Sequence, residues 1–347
     1  MSASPVPPLQ HAIRRLATGA SLTAEEAREA FDAVMSGEGT VAQLSALLIG
    51  LRVKGETPDE VAGAAGALRG AMVHLPAERP EDLVDTCGTG GGAINTFNIS
   101  TAAALLAAGA GVRIAKHGNR SFTSQCGSAD VLEALGVPID VSPSVMERAL
   151  REAGIVFMFA PLMHPAMRHV GPVRRELGIP TVMNIVGPLA NPASAGRQVV
   201  GVADERRVPL IAGALQALGT RHALVVHGEP GMDEISPLGT THVIEIRDGS
   251  AREWTIDPKQ FGFPEGRAEE LAGGPPAENA AAVLAVLEGR APPTARAAVL
   301  LNAAAALYVS GLAEGDFDES LARVRTALDE GAGLAALERL RRAFAAS

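Results

Sequence analysis

From about residue 83 onward, short apolar runs of β type alternate with alanine- and leucine-rich segments of helical period, and this alternation constrains the fold more than any other feature of the chain. Strands separated by helices read as βα units. Such units build a mostly parallel central sheet flanked by helices on both faces. Candidate strands lie at 83–86, 112–115, 155–160, 199–202, 223–226 and 242–246. Candidate helices cover 100–109, 128–136, 143–153, 205–218, 278–289, 294–312 and 317–329. The stretch 161–197 breaks the rhythm with six prolines and no clear strand.

The first eighty residues carry no strand pattern. Thr23 followed by Glu26 forms a capping box, and Thr57 with Glu60 repeats it, with Pro58 at the first helical position. Between them VAQLSALLIGLRVKG (41–55) reads as a helix ending at Gly55. The expectation is an α/β protein in two parts. A small helical domain covers 1–75, and a large α/β domain covers 80–347. The polar, proline-bearing segment 74–82 links them.

Composition narrows the class. The net charge of −9 and 3% aromatic content argue against a nucleic-acid partner, since neither a basic footprint nor stacking surfaces are present. Two cysteines, Cys87 and Cys126, exclude a disulfide scaffold. No leader-like apolar segment and no run long enough to cross a bilayer are visible, so the expectation is a cytoplasmic enzyme with no membrane partner.

Four segments could carry chemistry. Residues 85–92 (DTCGTGGG) followed by NTFNIST (95–101) place a glycine loop between a strand and a helix start. There, backbone N–H groups and the helix dipole suit an anion. Lys116-His-Gly-Asn-Arg-Ser121, continuing to Ser124, supplies cations and hydroxyls for a phosphate ester. The adjacent carboxylates Asp233 and Glu234 suit Mg²⁺ shared with substrate phosphate. Arg174, in HPAMRHVGPVRRELG (164–178), could hold a carboxylate in a bidentate fork. Taken singly, each also fits a plainer reading: a glycine turn, an exposed polar loop, a solvated acidic pair, a solvated helix face. Together, three of them follow the carboxyl ends of separate candidate strands, where open α/β sheets bind ligands.

In order along the chain, DTCGTGG, TFNIST, KHGNRS, GSADVLEALGV (127–137), HPAMRHVGPVRRELG, NIVGPLANP (184–192) and MDEIS (232–236) resemble the anthranilate phosphoribosyltransferase family over essentially the whole chain. The resemblance implies the nucleoside phosphorylase/phosphoribosyltransferase fold, with helices from about 170–190 completing the small helical domain, hinges between the domains and a homodimer formed through the helical one. It implies transfer of a phosphoribosyl group from 5-phosphoribosyl 1-pyrophosphate to anthranilate in tryptophan biosynthesis, with Mg²⁺. By the same resemblance, Gly88 and Gly91 line the diphosphate and anthranilate pocket, while Thr96, Asn98, Ile99, Ser100 and Thr101 hold the phosphoribosyl donor. Lys116, His117, Gly118, Asn119, Arg120, Ser121, Ser124 and Ser128 bind the same substrate. Asn119 and Arg174 hold anthranilate, with His117 close by. Ser100, Asp233 and Glu234 bind Mg²⁺, and Lys116 and Arg174 are the catalytic candidates.

The chain departs from the family in one place. The family's glycine loop usually continues Gly-Gly-Asp-Gly. Here it reads Gly91-Gly92-Ala93, so Gly92 stands among the substrate-binding positions where an aspartate is expected. Altered Mg²⁺ dependence is the expected consequence. Within the same fold, a pyrimidine-nucleoside phosphorylase and a non-catalytic nucleic-acid-binding relative are the competing readings. KHGNRS and MDEIS speak against the first and the acidic charge against the second.

Overall fold

The structure is a computed structural model that describes residues 6–121, 125–313 and 316–345. Four helices open the chain: α1 (Pro8–Ala17), α2 (Ala24–Met35), α3 (Val41–Lys54) and α4 (Pro58–Gly70). Both expected capping boxes form. Thr23 Oγ1 accepts from the Glu26 N–H at 3.2 Å while the Glu26 carboxylate accepts from the Thr23 N–H at 2.8 Å. Thr57 and Glu60 do the same, and a third box joins Thr40 to Gln43.

The α/β part follows as β1 (Val84–Gly88), α5 (Ile99–Gly109), β2 (Ile114–Gly118), α6 (Ser128–Ala134), α7 (Pro143–Ala153) and β3 (Ile155–Phe159). Next come α8 (Ala160–Met163), α9 (Met167–Leu177), β4 (Arg197–Gly201), α10 (Val208–Ala217), β5 (His222–Gly228), β6 (Thr241–Arg247) and β7 (Ser250–Ile256). Four helices close the chain: α11 (Pro276–Leu287), α12 (Pro293–Ser310), α13 (Phe317–Asp329) and α14 (Ala332–Ala345). The sheet order is β3-β2-β1-β4-β5-β6-β7. The first five strands in that order pair in parallel, and β6 and β7 add an antiparallel edge.

Successive residues of a strand face opposite sides, and the two sides enter different cores. Val199, Leu224, Val226 and Val243 join the core built on α5, α7, α12 and α14. Val200, Ala223, Val225, Ile244 and Ile246 join a second core with α10 and the helices α1–α4 and α9. The helical part is therefore packed onto the sheet through α10; a Cβ on Gly213 of α10 would lie 2.9 Å from the Pro58 ring of α4.

Several expectations need correction. The helices expected over 170–190 reduce to α9, which stops at Gly178 (φ 65°), and to 3₁₀ turns at Val182–Asn184 and Gly187–Leu189. Pro180 cannot donate to a continuing helix. The strand expected at 112–115 starts later, at Ile114, so Lys116, His117 and Gly118 are strand residues rather than loop residues. β1 likewise extends through Cys87 and Gly88. β7 and α14 were not expected at all.

Candidate active site

The glycine loop leaves β1 at the carboxyl edge of the sheet. Gly90 and Gly91 have φ of 69° and 78°, a region that L side chains avoid. The segment bearing Asp233 and Glu234 lies across the same edge and presses against strand ends that carry no side chain. A Cβ on Gly88 would stand 2.5 Å from Asp233 Oδ2, and one on Gly201 would overlap the Asp233 carbonyl oxygen. Asp233 Oδ2 accepts from the Gly90 N–H at 2.8 Å, which ties the acidic pair to the loop. The N–H groups of Gly91 and Gly92 have no partner among the described residues, so the loop offers two free backbone donors.

Glu234 reaches the start of α5. Its Oε1 accepts from the Ser100 N–H at 3.2 Å. The other first-turn N–H groups, Ile99, Thr101 and Ala102, bond to Phe97 and Asn98 carbonyls. This corrects the expectation that the NIST helix start presents unpaired N–H donors to an anion. A carboxylate of the chain already sits at the positive end of the helix. Burial and the neighbouring Asp233 push the Glu234 carboxyl up to about 8, and burial raises that of Asp233.

Lys116 completes this cluster from β2. It is 3% exposed, and its Nζ donates to the Thr86 carbonyl at 2.5 Å and reaches Thr86 Oγ1 and Ser100 Oγ, each at 3.4 Å. Burial pulls the ammonium's pKa down, and Asp85 and Glu234 oppose that pull. Gly88, Ser100, Lys116, Asp233 and Glu234 thus meet at one point. Asp233, Glu234 and Ser100 offer hard oxygen donors there. Among the described residues no third acidic, histidine or cysteine side chain joins them. Raised carboxyl pKa values and a small donor set fit Mg²⁺, which takes one or two carboxylates and draws its other ligands from water and phosphate.

The remaining residues form a second group. Asn119 is held through its carbonyl by Ser128 Oγ at 3.3 Å and by the Ala129 N–H at 3.2 Å. The Ser121 N–H donates to Asp130. Arg120 is engaged by acids, with Asp130 at 2.7 Å and Glu133 at 2.6 Å, so its charge is already answered within the chain. The Asn98 amide is also occupied, donating to the Cys126 carbonyl and accepting from Asn279. Thr96 bridges Ala272 in an antiparallel contact. Gly118 faces Ser128 Oγ and Phe157 where a Cβ would be. Ser124 lies outside the described residues.

His117 packs against His164 with the rings tilted at 55° and the Nε2 atoms 3.1 Å apart. Burial lowers His117 to about 3 and His164 to about 4, so both rings are neutral near pH 7. Arg174 stands on α9, partly buried, and its guanidinium has no ion pair or hydrogen bond among the described residues. Burial lowers its pKa. No described contact joins it to Lys116.

Three residues that shape the site were not among the expected site residues, although Asp85 and Asn191 lie within motifs the sequence displays. Asn302 sits in the otherwise apolar α12 and grips Ile235, next to Glu234. Its Oδ1 accepts from the Ile235 N–H at 3.0 Å and its Nδ2 donates to the Ile235 carbonyl at 2.9 Å. Asp85 and Asn191 are the others. A lone asparagine inside an apolar helix is the kind of break in pattern that could have flagged the first.

The helical bundle domain of the glycosyl transferase family matches residues 10–72, and its a/b domain matches residues 80–334. An anthranilate phosphoribosyltransferase of Anaeromyxobacter sp. (strain K) is 50% identical over 339 residues, covering 98% of each chain. The chain belongs to the anthranilate phosphoribosyltransferase family. Another member, from Rhodopseudomonas palustris, is 49% identical over 94% of this chain and 96% of its own. The crystal structure of the Thermus thermophilus anthranilate phosphoribosyltransferase superposes with a TM-score of 0.90 at 42% identity, covering 96% of this chain and 99% of that one. The Saccharomyces cerevisiae anthranilate phosphoribosyltransferase in complex with PRPP and Mg superposes with a TM-score of 0.87 at 27% identity, over 98% of each chain. The same yeast protein also has a structure with 4-fluoroanthranilate. Among the described residues no helix is long and apolar enough to cross a membrane.

Proposed function

We propose that this chain transfers the phosphoribosyl group of 5-phosphoribosyl 1-pyrophosphate to the amine of anthranilate, giving N-(5-phosphoribosyl)anthranilate and pyrophosphate. The observation that carries the reading is the meeting of Lys116, Ser100, Asp233 and Glu234 beside a glycine loop with free N–H donors, in a chain of this family. It is a pentosyltransferase of tryptophan biosynthesis.

Anthranilate's amine is an uncharged nucleophile near pH 7, so no strong base is required. The chain's work is to position the two substrates and stabilise the leaving group. Mg²⁺, held by Asp233, Glu234 and Ser100 together with the donor's diphosphate, supplies further neutralisation of the departing charge. Lys116 directs its ammonium at the diphosphate, and the Gly91 and Gly92 N–H groups add neutral donors. As the bond to pyrophosphate loosens, the ribosyl centre becomes oxocarbenium-like, and attack from the opposite side inverts C1. Arg174 aims anthranilate through its carboxylate, with Asn119 and His117 beside the ring. His117 is neutral and serves as a hydrogen-bonding wall rather than a cation. Asn119, Arg120, Ser121 and Ser128 border the donor; Arg120 would exchange an acidic partner for phosphate to contact it. Closure of the helical part over the α/β part excludes water, which would otherwise hydrolyse the donor.

The same family membership supports a homodimer formed through the helical part, a cytoplasmic location and no nucleic-acid partner. The test is anthranilate fluorescence, followed with phosphoribosyl pyrophosphate, with and without Mg²⁺. Mg²⁺-dependent decay is expected. No decay at any Mg²⁺ concentration would overturn the reading.

A further inference from the structure

We infer that Asp85 and Asn191 form a positioning pair that fixes β2 on either side of Lys116, leaves its ammonium clear of any carboxylate contact for the diphosphate, and ties the 184–192 connection to that lysine's strand. The inference rests on the role proposed for Lys116.

Asp85 is the second residue of β1, in the middle of the sheet, and is wholly buried. A buried carboxylate is costly unless its oxygens are satisfied and its charge is used. Both oxygens are satisfied. Oδ1 accepts from the His117 N–H at 3.1 Å, and Oδ2 accepts from Asn191 Nδ2 at 2.7 Å. The charge is answered by Lys116, whose own contacts are all with neutral groups, a carbonyl and two hydroxyls.

That separation is the point of the arrangement. A carboxylate in contact with Nζ would occupy the direction from which a phosphate must approach. A carboxylate one residue along the adjoining strand offsets the buried ammonium through the low-dielectric interior without filling that direction. The weaker contacts of Nζ, at 3.4 Å to Thr86 Oγ1 and Ser100 Oγ, can be given up to a ligand.

Asn191 is bound on every side. Besides Asp85, its Nδ2 donates to the Ala115 carbonyl at 2.8 Å, and its Oδ1 accepts from the Ala193 N–H at 2.9 Å. It therefore pins β1, β2 and its own loop together, at the residue before Lys116. The connection it ends is seated in the helical core through Val186, Leu189 and Ala190. A shift of the helical part can reach Lys116 and His117 by this route.

The test uses steady-state kinetics of the full chain with both substrates varied. Asp85→Asn removes the charge at nearly constant shape and turns one acceptor into a donor facing donors. The expected result is a rise in KM for phosphoribosyl pyrophosphate of tenfold or more, with KM for anthranilate within twofold of the unsubstituted chain. Asn191→Ala keeps the charge and cuts the bridge; a rise of threefold or more in the same KM is expected. Both KM values and kcat within twofold of the parent in both variants would overturn the inference, as would an equal loss against both substrates. Should Asp85→Asn fail to fold, Asn191→Ala decides by the same criterion. Turnover by the unsubstituted chain is the control for the proposed function. If that chain is inactive, calorimetric titration with phosphoribosyl pyrophosphate replaces kinetics: affinity weakened in the variants supports the pair, and affinity equal to the parent's overturns it.

Discussion

Gly201 lies directly beneath Asp233: a Cβ at position 201 would overlap the Asp233 carbonyl oxygen and crowd its carbonyl carbon. The acidic segment can cross the sheet edge only because β4 ends in a residue without a side chain. Gly201→Ala must push backbone against backbone, which no rotamer change relieves. The expected outcome is a loss of stability of about 1–3 kcal/mol, typical of overpacking, with kcat lowered at least tenfold. Urea denaturation and anthranilate decay measure the two effects. A variant with the parent's stability and rate would show that the segment rides higher than described.

Gly92 tests the missing carboxylate. A Cβ there would stand 3.2 Å from the Gly231 carbonyl oxygen and 3.3 Å from Asp233 Oδ1. The position is tight, and it points at the Asp233 carboxylate. Gly92→Asp should place like charges together, lowering thermal stability without Mg²⁺, and Mg²⁺ should restore it. The half-saturating Mg²⁺ concentration for turnover should fall. An unchanged Mg²⁺ titration would mean that position 92 does not face the metal's surroundings.

Arg174 is partly buried and unpaired among the described residues. An unpaired, desolvated guanidinium suits an incoming carboxylate. Arg174→Ala should raise the anthranilate KM about tenfold or more, as expected for loss of a charge-assisted pair of about 1.5–3 kcal/mol. Stability should hold or rise slightly, because a partly buried charge is removed. An unaltered KM and kcat would place the acceptor's carboxylate elsewhere.

Asn302 should matter through Ile235. Asn302→Leu leaves the Ile235 N–H without its side-chain acceptor and the Ile235 carbonyl without its donor, both in the core. A cost of about 1–3 kcal/mol for each unsatisfied group is expected. The Mg²⁺ titration should broaden to higher concentration as the acidic segment loosens. Calorimetric melting and the titration together check this. Full stability in the variant would contradict it.

The two facing histidines make stability depend on pH. Both are depressed in the folded chain, His117 to about 3 and His164 to about 4, by burial. An unfolded chain protonates its histidines near 6.5. Between about pH 6.5 and 4 the unfolded chain therefore binds protons that the folded chain refuses, and stability falls as pH falls. This contribution is fully present above pH 6.5. In denaturation series from pH 7 to 4.5, the parent should lose up to about 1.4 kcal/mol per pH unit more than His164→Gln, one proton's worth. Equal slopes would mean that His164 is protonated freely in the folded chain.

Much of this was legible locally. The capping boxes at Thr23 and Thr57 depend on residues three apart, so the sequence suffices to place them. The six expected strands all exist because their apolar runs are buried on both faces. β7, SAREWTI, escaped notice for the opposite reason: it is an edge strand, exposed along most of its length, and has little apolar pattern to detect. α14 begins right after Gly331 (φ 69°), which reads as the end of α13 rather than the start of another helix.

The residues that could bear charge, donate to phosphate or ligate Mg²⁺ were set by the sequence alone, because side-chain chemistry is local. Which of them meet was decided only by tertiary structure. Glu234 comes from a segment more than a hundred residues away from Ser100 and Lys116, and the strand pairing of the sheet brings it to them. The same assembly turned Arg120 toward Asp130 and Glu133, let Glu234 cap α5, and set Asp85 to offset a lysine it does not touch. Burial and the balance of charges belong to the assembled fold, and no window of sequence contains them.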